Sequence, residues 1–345
     1  MCVIIVSYGR PEDVGRCLAS LARSLFSDFA VFICENGGQA AFQRLCQVLA
    51  EPDGPLEPAS GASAVLDLPA GRLTATATYR LAATTVPVRV GLAIENLGYG
   101  GGVNAWVERL EPEPGWDAVL VLNPDTELDP ACLGELMAKA AEGFGMVGAA
   151  LVATDAPSSV SSYGLIWSRR TGRVIAAGRG LPIGSEPSPA LLARLDAISG
   201  ACVLVTRAFV ADVGGMAEDY FLFMEDIDWG MRRGRHRIGV AARAIVRHLG
   251  GTTIGSVRER NRRSQLAVYL PARNSVLAAR RWSRGLWPAH VAVEILYALK
   301  YLVTGSPTAA GLVLVGLIDG IRGKSGPPAR FGSTATPEEA ARMEC

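Results

Sequence analysis

The sequence predicts an α/β fold with a mostly parallel central sheet and a helical extension at its C-terminal end. Short β-branched runs alternate with segments of helical periodicity through the first third of the chain, the pattern of a sheet covered by helices. Four of those runs end in polar residues, at the strand ends where open α/β sheets bind ligands. With 345 residues, 49% of them hydrophobic and 19% charged, the chain has the material for a large buried core.

The run over 2–7 is the first strand. Val14, Leu18, Leu21 and Leu25 recur at helical spacing over 12–25, and Pro11 sits where a first helical turn tolerates it. A strand over 30–34 and a helix over 40–49 follow. Residues 51–85, rich in Pro, Gly, Ala and Thr, read as an insertion carrying a hairpin of 65–68 against 73–81. The core pattern resumes with a strand over 88–94, a Gly-rich turn, a helix over 104–110 and a strand over 118–122. A helix over 130–141, a strand over 146–151, a hairpin of 165–167 with 174–176 and a loop over 178–190 come next. A strand over 201–206, a helix after it and a helix opening near Glu225 complete the core. The expected organisation is a core domain over 1–255, a helical extension over 256–325 that associates with membranes or packs on the core, and a disordered tail over 326–345.

Pro271 is expected to break or kink the extension. The uncharged stretch over 301–318 is interrupted at Gly305, Ser306 and Pro307 and leaves about twelve apolar residues, short of the roughly 20 that cross a bilayer. Residues 287–318 therefore read as interfacial amphipathic helices, or else as a packed helical pair. A net charge of +1 provides no global field for nucleic acid. Locally, residues 232–284 hold fourteen arginines and one acid, Glu259, which favours phosphate groups or an anionic membrane surface unless the run is simply a solvated face. Seven cysteines without paired spacing read as small buried hydrophobes of a reducing cytosol. No secretion leader is expected, so the location is read as cytoplasmic, at the inner face of the cell membrane.

Any one polar strand end is weak evidence, because turns favour the same residues. Gly98 and Gly100 begin a dinucleotide-like G-x-G, but Val103 stands where the third glycine is needed and the turn follows a third strand, which argues against a dehydrogenase. Glu225, Asp226 and Asp228 cluster at a helix start, where acids serve either as caps or as proton acceptors. Asp125 is a turn residue or a metal ligand. His248, between a strand and a glycine pair, is a ligand or a satisfied histidine.

In their order, "VIIVSYGRPEDVGRCLASL", "ICENGG", "ENLGYGGGVNAW", "VLVLNPDTELDP", "ISGACVLVTRAFVADVGGMAEDYF", "DYFLFMEDIDWGMRRGRHR" and "AIVRHLGG" resemble segments of family 2 glycosyltransferases of the GT-A fold, in their bacterial rhamnosyltransferase and galactofuranosyltransferase-like branch. The resemblance covers about residues 3–250, with 51–85 unmatched. It implies that Ser7 and Arg10 approach the nucleotide, that Glu35, where the family has Asp, contacts the base, and that Asn96, Gly98, Gly101 and Asn104 approach the diphosphate or ribose. It makes Asp125 a ligand of Mg or Mn, with neutral Asn123 holding the ribose or a metal-bound water and His248 completing the metal site. A hard cation bridging diphosphate oxygens lowers the cost of its departure.

The same resemblance places Gly200 and Ala201 beneath the sugar. Asp226 becomes the general base and Glu225 its partner at the acceptor hydroxyls, with Asp228 and Trp229 beginning the supporting helix of the acceptor site. The implied reaction is inverting transfer of a sugar, rhamnose first, from a dTDP- or UDP-sugar to a hydroxyl of a lipid-linked or polysaccharide acceptor in surface-glycan synthesis. A nucleotidyltransferase is an alternative, but it needs a P-loop-like basic signature that residues 7–10 lack. A non-catalytic glycan-binding protein is another, and it would not need these acids.

Overall fold

The computed structural model describes residues 1–59, 66–67, 71–249 and 264–331. The first half of the chain forms β1 (Cys2–Ser7), α1 (Pro11–Ala22), β2 (Ala30–Glu35), α2 (Gly38–Leu49), β3 (Leu56–Pro58), β4 (Leu66–Asp67), β5 (Leu73–Leu81), β6 (Pro87–Ala93), α3 (Gly98–Leu110), β7 (Ala118–Leu122), β8 (Thr126–Leu128) and α4 (Cys132–Ala141). The second half forms β9 (Met146–Ala153), β10 (Val160–Ser162), β11 (Gly164–Trp167), β12 (Val174–Ala177), α5 (Pro189–Leu192), β13 (Cys202–Thr206), α6 (Arg207–Val213), α7 (Glu225–Met231), β14 (Ile238–His248), α8 (Gln265–Trp282), α9 (Trp287–Val303) and α10 (Pro307–Ile321).

Strand β1 is buried along its whole length and takes a central place, parallel to β2 on one side and β7 on the other. An unbroken Val and Ile run suits a strand covered on both faces. Its side chains alternate accordingly: Val3 and Ile5 join the core under α1, α2 and α4, while Ile4 and Val6 join the opposite core with Val103, Trp106 and Phe209.

The main sheet runs β3-β5-β6-β2-β1-β7-β13-β9-β14-β8. It is mixed, and the expectation of a mostly parallel sheet is corrected: β13 lies antiparallel between β7 and β9, and β14 is parallel to β9 but antiparallel to β8. Within the segment read as an insertion, β4 pairs with β5 as the expected hairpin, although residues 60–65 and 68–70 lie outside the described residues. Strand β5 also pairs with β6, so this segment extends the main sheet.

Helix α8 continues through Pro271 instead of ending there. Helix α10 lies flush on it: a Cβ at Gly316 would stand 2.5 Å from the Tyr269 carbonyl oxygen, and one at Gly320 2.6 Å from that of Arg273. Among the described residues no helix is long and apolar enough to cross a membrane. The arginines between 250 and 263, the glycine pair after His248 and the tail from 332 onward lie outside the described residues.

Candidate active site

A cleft of about 670 Å³ opens beyond the carboxyl ends of β1 and β7. After the last apolar residue of β7 the chain turns: the Asn123 amide donates to the Ala201 carbonyl at 3.0 Å, and the Thr126 hydroxyl donates to the Asn123 carbonyl at 2.6 Å. That turn sets Asp125 in the cleft wall, only 4% exposed. The end of β14 pairs with β8, His248 opposite Thr126, and this register brings His248 Nε2 to 3.2 Å from Asp125 Oδ1.

Glu225 and Asp226 open α7 and line the same cleft. The Gly200 amide donates to Asp226 Oδ2 at 3.1 Å and the Ile227 amide to Oδ1 at 2.8 Å. Glu225 is buried, and its Oε2 has no hydrogen-bond partner among the described residues. Burial, with the Asp226 charge adding to it, pushes the Glu225 carboxyl up to about 8. Burial also raises Asp226, against the backbone amides that favour its charged form. Burial thus disfavours charge on both neighbouring carboxyls, while Asp226 receives at each of its oxygens a backbone amide that favours the charged form.

The approach to α7 is strained. Phe221, Phe223 and Met224 have φ of 64°, 67° and 80°, a left-handed backbone that costs about 1–2 kcal/mol per non-glycine residue. Gly98, at φ 71°, receives this turn: a Cβ there would lie 2.2 Å from the Phe221 carbonyl oxygen. The Tyr99 amide donates to that oxygen at 2.8 Å, and the Tyr99 hydroxyl donates to the Gly200 carbonyl at 2.6 Å. From α8, Asn274 Nδ2 donates to the carbonyls of Tyr220, Leu222 and Phe223 at 3.0, 2.8 and 2.9 Å.

The structure thus brings Asn123, Asp125, Gly200, Ala201, Glu225, Asp226 and His248 into one cleft. Other residues expected at the site are engaged elsewhere. Ser7 donates to Glu35 Oε2 at 2.6 Å, and Glu35 Oε1 accepts from the amides of Gly9 and Gly37 at 3.0 and 2.7 Å, so both buried side chains are satisfied inside the protein. Asn104, expected to face the nucleotide, latches the turn before α7: its amide donates to Met216 O at 2.9 Å and Glu218 Oε1 at 2.7 Å, and its oxygen accepts from Met216 N at 2.8 Å.

Asn96 accepts from the Gly98 amide at 3.1 Å, while Gly98 and Gly101 are buried and serve close packing of α3 instead of lining the cleft. Arg10 is exposed just after β1. Asp228, expected to meet the acceptor, is a buried anchor that accepts from Arg232 Nε at 2.7 Å and Trp282 Nε1 at 2.9 Å, with Arg281 Nε at 3.3 Å. Trp229 is fully buried against Phe209 and donates to the Gly214 carbonyl.

The cleft also has walls the sequence reading missed. Tyr99, the β11–β12 turn with Thr171 and Arg173, and the three C-terminal helices all line it, the last through Ser275, Glu294, Tyr297 and Tyr301 among others. Helix α9 is inverted for a surface helix. His290, Glu294, Tyr297 and Tyr301 turn inward, whereas Leu296, Leu299 and Val303 stand 65%, 50% and 88% exposed. Spacing shows this, since polar residues at 290, 294, 297 and 301 form one face, but only the packing reveals which face is inside.

Among the described residues no three His, Cys, Asp or Glu side chains gather as a metal cluster. The Asp125–His248 pair nevertheless brings one carboxylate oxygen and one imidazole nitrogen together at the cleft, donor types that would suit a divalent ion completed by other oxygen ligands.

No protein-family model matches the chain. An N-acetylglucosaminyl-diphospho-decaprenol L-rhamnosyltransferase of Mycobacterium tuberculosis is 27% identical over 257 residues, which cover 68% of this chain and 70% of that protein. The low-salt glycan biosynthesis hexosyltransferase Agl10 of Haloferax volcanii is 23% identical over 264 residues, covering 68% of this chain and 76% of that one. Among solved structures, S. aureus TarS 1–349 in complex with UDP-GlcNAc superposes with a TM-score of 0.50 at 13% identity, over 99% of this chain and 87% of that one. GalNAc-T7 with UDP, GalNAc and Mn2+ also gives 0.50, at 12% identity, over 81% of this chain and 47% of that one. The chain has a glycosyltransferase-like fold, a mixed central sheet with C-terminal helices that resembles the GT-A architecture.

Proposed function

We propose that the protein is an inverting, metal-dependent glycosyltransferase of the family 2 type, moving a sugar, rhamnose first, from a dTDP- or UDP-sugar to a hydroxyl of a lipid-linked or polysaccharide acceptor in surface-glycan synthesis. One observation carries this reading: Asp125, Glu225–Asp226 and His248, from three distant parts of the chain, converge on one cleft of a glycosyltransferase-like fold. The sugar-transferring relatives support the class of reaction.

In this reading Asp226 is the general base. Its two backbone donors fix the carboxylate and favour its charged form, and its remaining lone pairs take the proton of the acceptor hydroxyl. The freed oxygen attacks the anomeric carbon as the bond to the diphosphate breaks, and the electron pair leaves with the diphosphate. Attack opposite the leaving group inverts the centre. Glu225, protonated at neutral pH, donates a hydrogen bond to the acceptor. Asp125 and His248 would hold the divalent ion, which when bound supplies positive charge against the departing diphosphate. Tyr99 braces the Gly200 carbonyl and so the amide that holds Asp226.

The acceptor side is formed in part by α9, whose inner face presents Glu294 and Tyr297 to the cleft while its outer face is apolar. A helix of this kind suits a protein that rests on a bilayer at the mouth of its own site, the cytoplasmic leaflet in this reading, and takes a lipid-linked acceptor from it. The exposed basic residues Arg284, Lys300 and Arg322 fit an anionic surface.

The test is a panel of UDP- and dTDP-sugars with Mn2+ or Mg2+, assayed for nucleoside diphosphate release that depends on an acceptor. Chelation, Asp125→Ala and His248→Ala should each abolish metal-dependent donor binding. Release of pyrophosphate would identify a nucleotidyltransferase instead, and full donor affinity without a divalent ion would remove the metal role.

A further inference from the structure

We infer that Arg273 and Asn274 of α8 are positioning residues that hold the strained turn before α7 in the one shape that presents Glu225 and Asp226 to the cleft. The turn is unstable by its own backbone. Phe221, Phe223 and Met224 all sit at positive φ, a conformation large side chains adopt only under outside constraint. A single amide nitrogen, Asn274 Nδ2, provides much of that constraint by donating to three of its carbonyls within 3.0 Å. Arg273 Nη2 donates to the Tyr220 carbonyl at 2.9 Å, its Nη1 to Gly326 at 2.8 Å, and its Nε to Asn274 Oδ1 at 3.0 Å.

Both side chains are out of solvent, Arg273 at 1% and Asn274 at 0% exposure. Among the described residues no carboxylate is hydrogen-bonded to this guanidinium, which makes it an expensive group to bury, and an apolar pair of similar size would fill the space at less cost. Its use is directional: a fixed fork of donors that meets the Tyr220 carbonyl of the turn, the Gly326 carbonyl and the Asn274 side chain at once. Helix α10 braces the clamp from behind through Gly316 and Gly320, packed on the Tyr269 and Arg273 carbonyls, and through the Tyr269 hydroxyl donating to Asp319 at 2.9 Å. Two residues after Asp226, Asp228 receives Trp282 from the far end of the same helix. Helix α8 therefore grips the carboxylate pair on both sides.

The kinetic part of this inference rests on Asp226 as the base, whereas the structural part does not, so the experiment reads both. Hydrogen exchange over residues 220–227 is compared in the wild type, Asn274→Ala and Asn274→Ser, alongside thermal unfolding, nucleoside diphosphate titration and transfer rates. In Asn274→Ala, exchange over 221–227 should rise roughly tenfold or more while β1 and β7 stay protected. Turnover should fall by about tenfold or more with nucleotide affinity within about twofold, and Asn274→Ser, which restores one donor, should lie between. If Asn274→Ala does not fold, Arg273→Lys, which keeps the charge and loses the fork, is read in the same way.

Unchanged exchange over 221–227 overturns the clamp. So does exchange that rises equally across the sheet, which would mean a general role in stability, and so does turnover that survives the opened turn. A local rise in exchange in a protein whose wild type transfers no sugar would leave the clamp standing and sink the proposed activity.

Discussion

Replacing Asp226 with Asn separates proton transfer from helix geometry. The carboxylate accepts two backbone amides, from Gly200 and Ile227. Asn keeps one acceptor and turns a second donor toward the other amide, so one hydrogen bond is lost, at about 0.5–1.5 kcal/mol. The substitution also removes a negative charge beside buried Glu225, which offsets part of that loss. Net stability should change by no more than about 1 kcal/mol. Loss of a general base costs roughly 10²–10⁴ in rate, equivalent to about 3–5 kcal/mol of barrier at 1.36 kcal/mol per tenfold. The catalytic effect should thus exceed the structural one several-fold. Unfolding midpoints, nucleoside diphosphate titration and initial rates at saturating substrates give the three numbers. Turnover within tenfold of wild type would refute the assignment and move the base to Glu225, since Asp228 is buried and already bound to Arg232 and Trp282.

Two further outcomes are expected. Because the folded-state value of Glu225 is raised to about 8, its contribution to stability is fully present below its unfolded value near 4.5 and is lost as pH rises through 8. Asp226, raised in the same sense, adds to the slope. Unfolding free energies from urea titration should therefore drop more between pH 5 and pH 8.5 for wild type than for Glu225→Gln, by on the order of a few kcal/mol, and equal slopes would show that Glu225 ionises normally. Leu296→Glu with Leu299→Glu should abolish co-sedimentation with vesicles containing anionic phospholipid while leaving nucleotide binding unchanged; wild-type protein that stays in the supernatant at low salt would exclude the bilayer as partner of α9.

Much of the candidate site was legible because its polar residues sit at strand and helix ends. Asp125, Glu225, Asp226 and His248 are separated by up to 123 positions, yet each follows or opens a recognisable element, and the fold brings them to one cleft. Strand direction was less legible. The residues of β13 are apolar on both faces, so their pattern is the same whether the strand runs up or down, and its antiparallel placement follows from the path of the chain around it. Asn104, Asp228 and Trp229 lie outside the cleft lining for a common reason: polar and aromatic groups near a cleft are needed as much to hold its frame as to touch a ligand. Asn104 and Asp228 are buried with their hydrogen bonds filled, which residue type alone does not disclose. Arg273 counted only as one arginine of the 232–284 stretch, because nothing local marks a guanidinium as destined for the interior.

Asp228 has a consequence for how the molecule comes into being. Its carboxylate holds Arg232 from its own helix and Trp282 from α8, and α8 in turn seats the turn before α7. Domains acquire structure from the N-terminus as they leave the ribosome. A nascent chain that has emerged only through β14 already carries Asp125, Glu225, Asp226 and His248, yet it lacks the helix that sets two of them in place and the helices that wall the cleft. Sugar transfer should therefore begin only once α8 to α10 have emerged and docked, so that unfinished chains bearing those four residues are born silent.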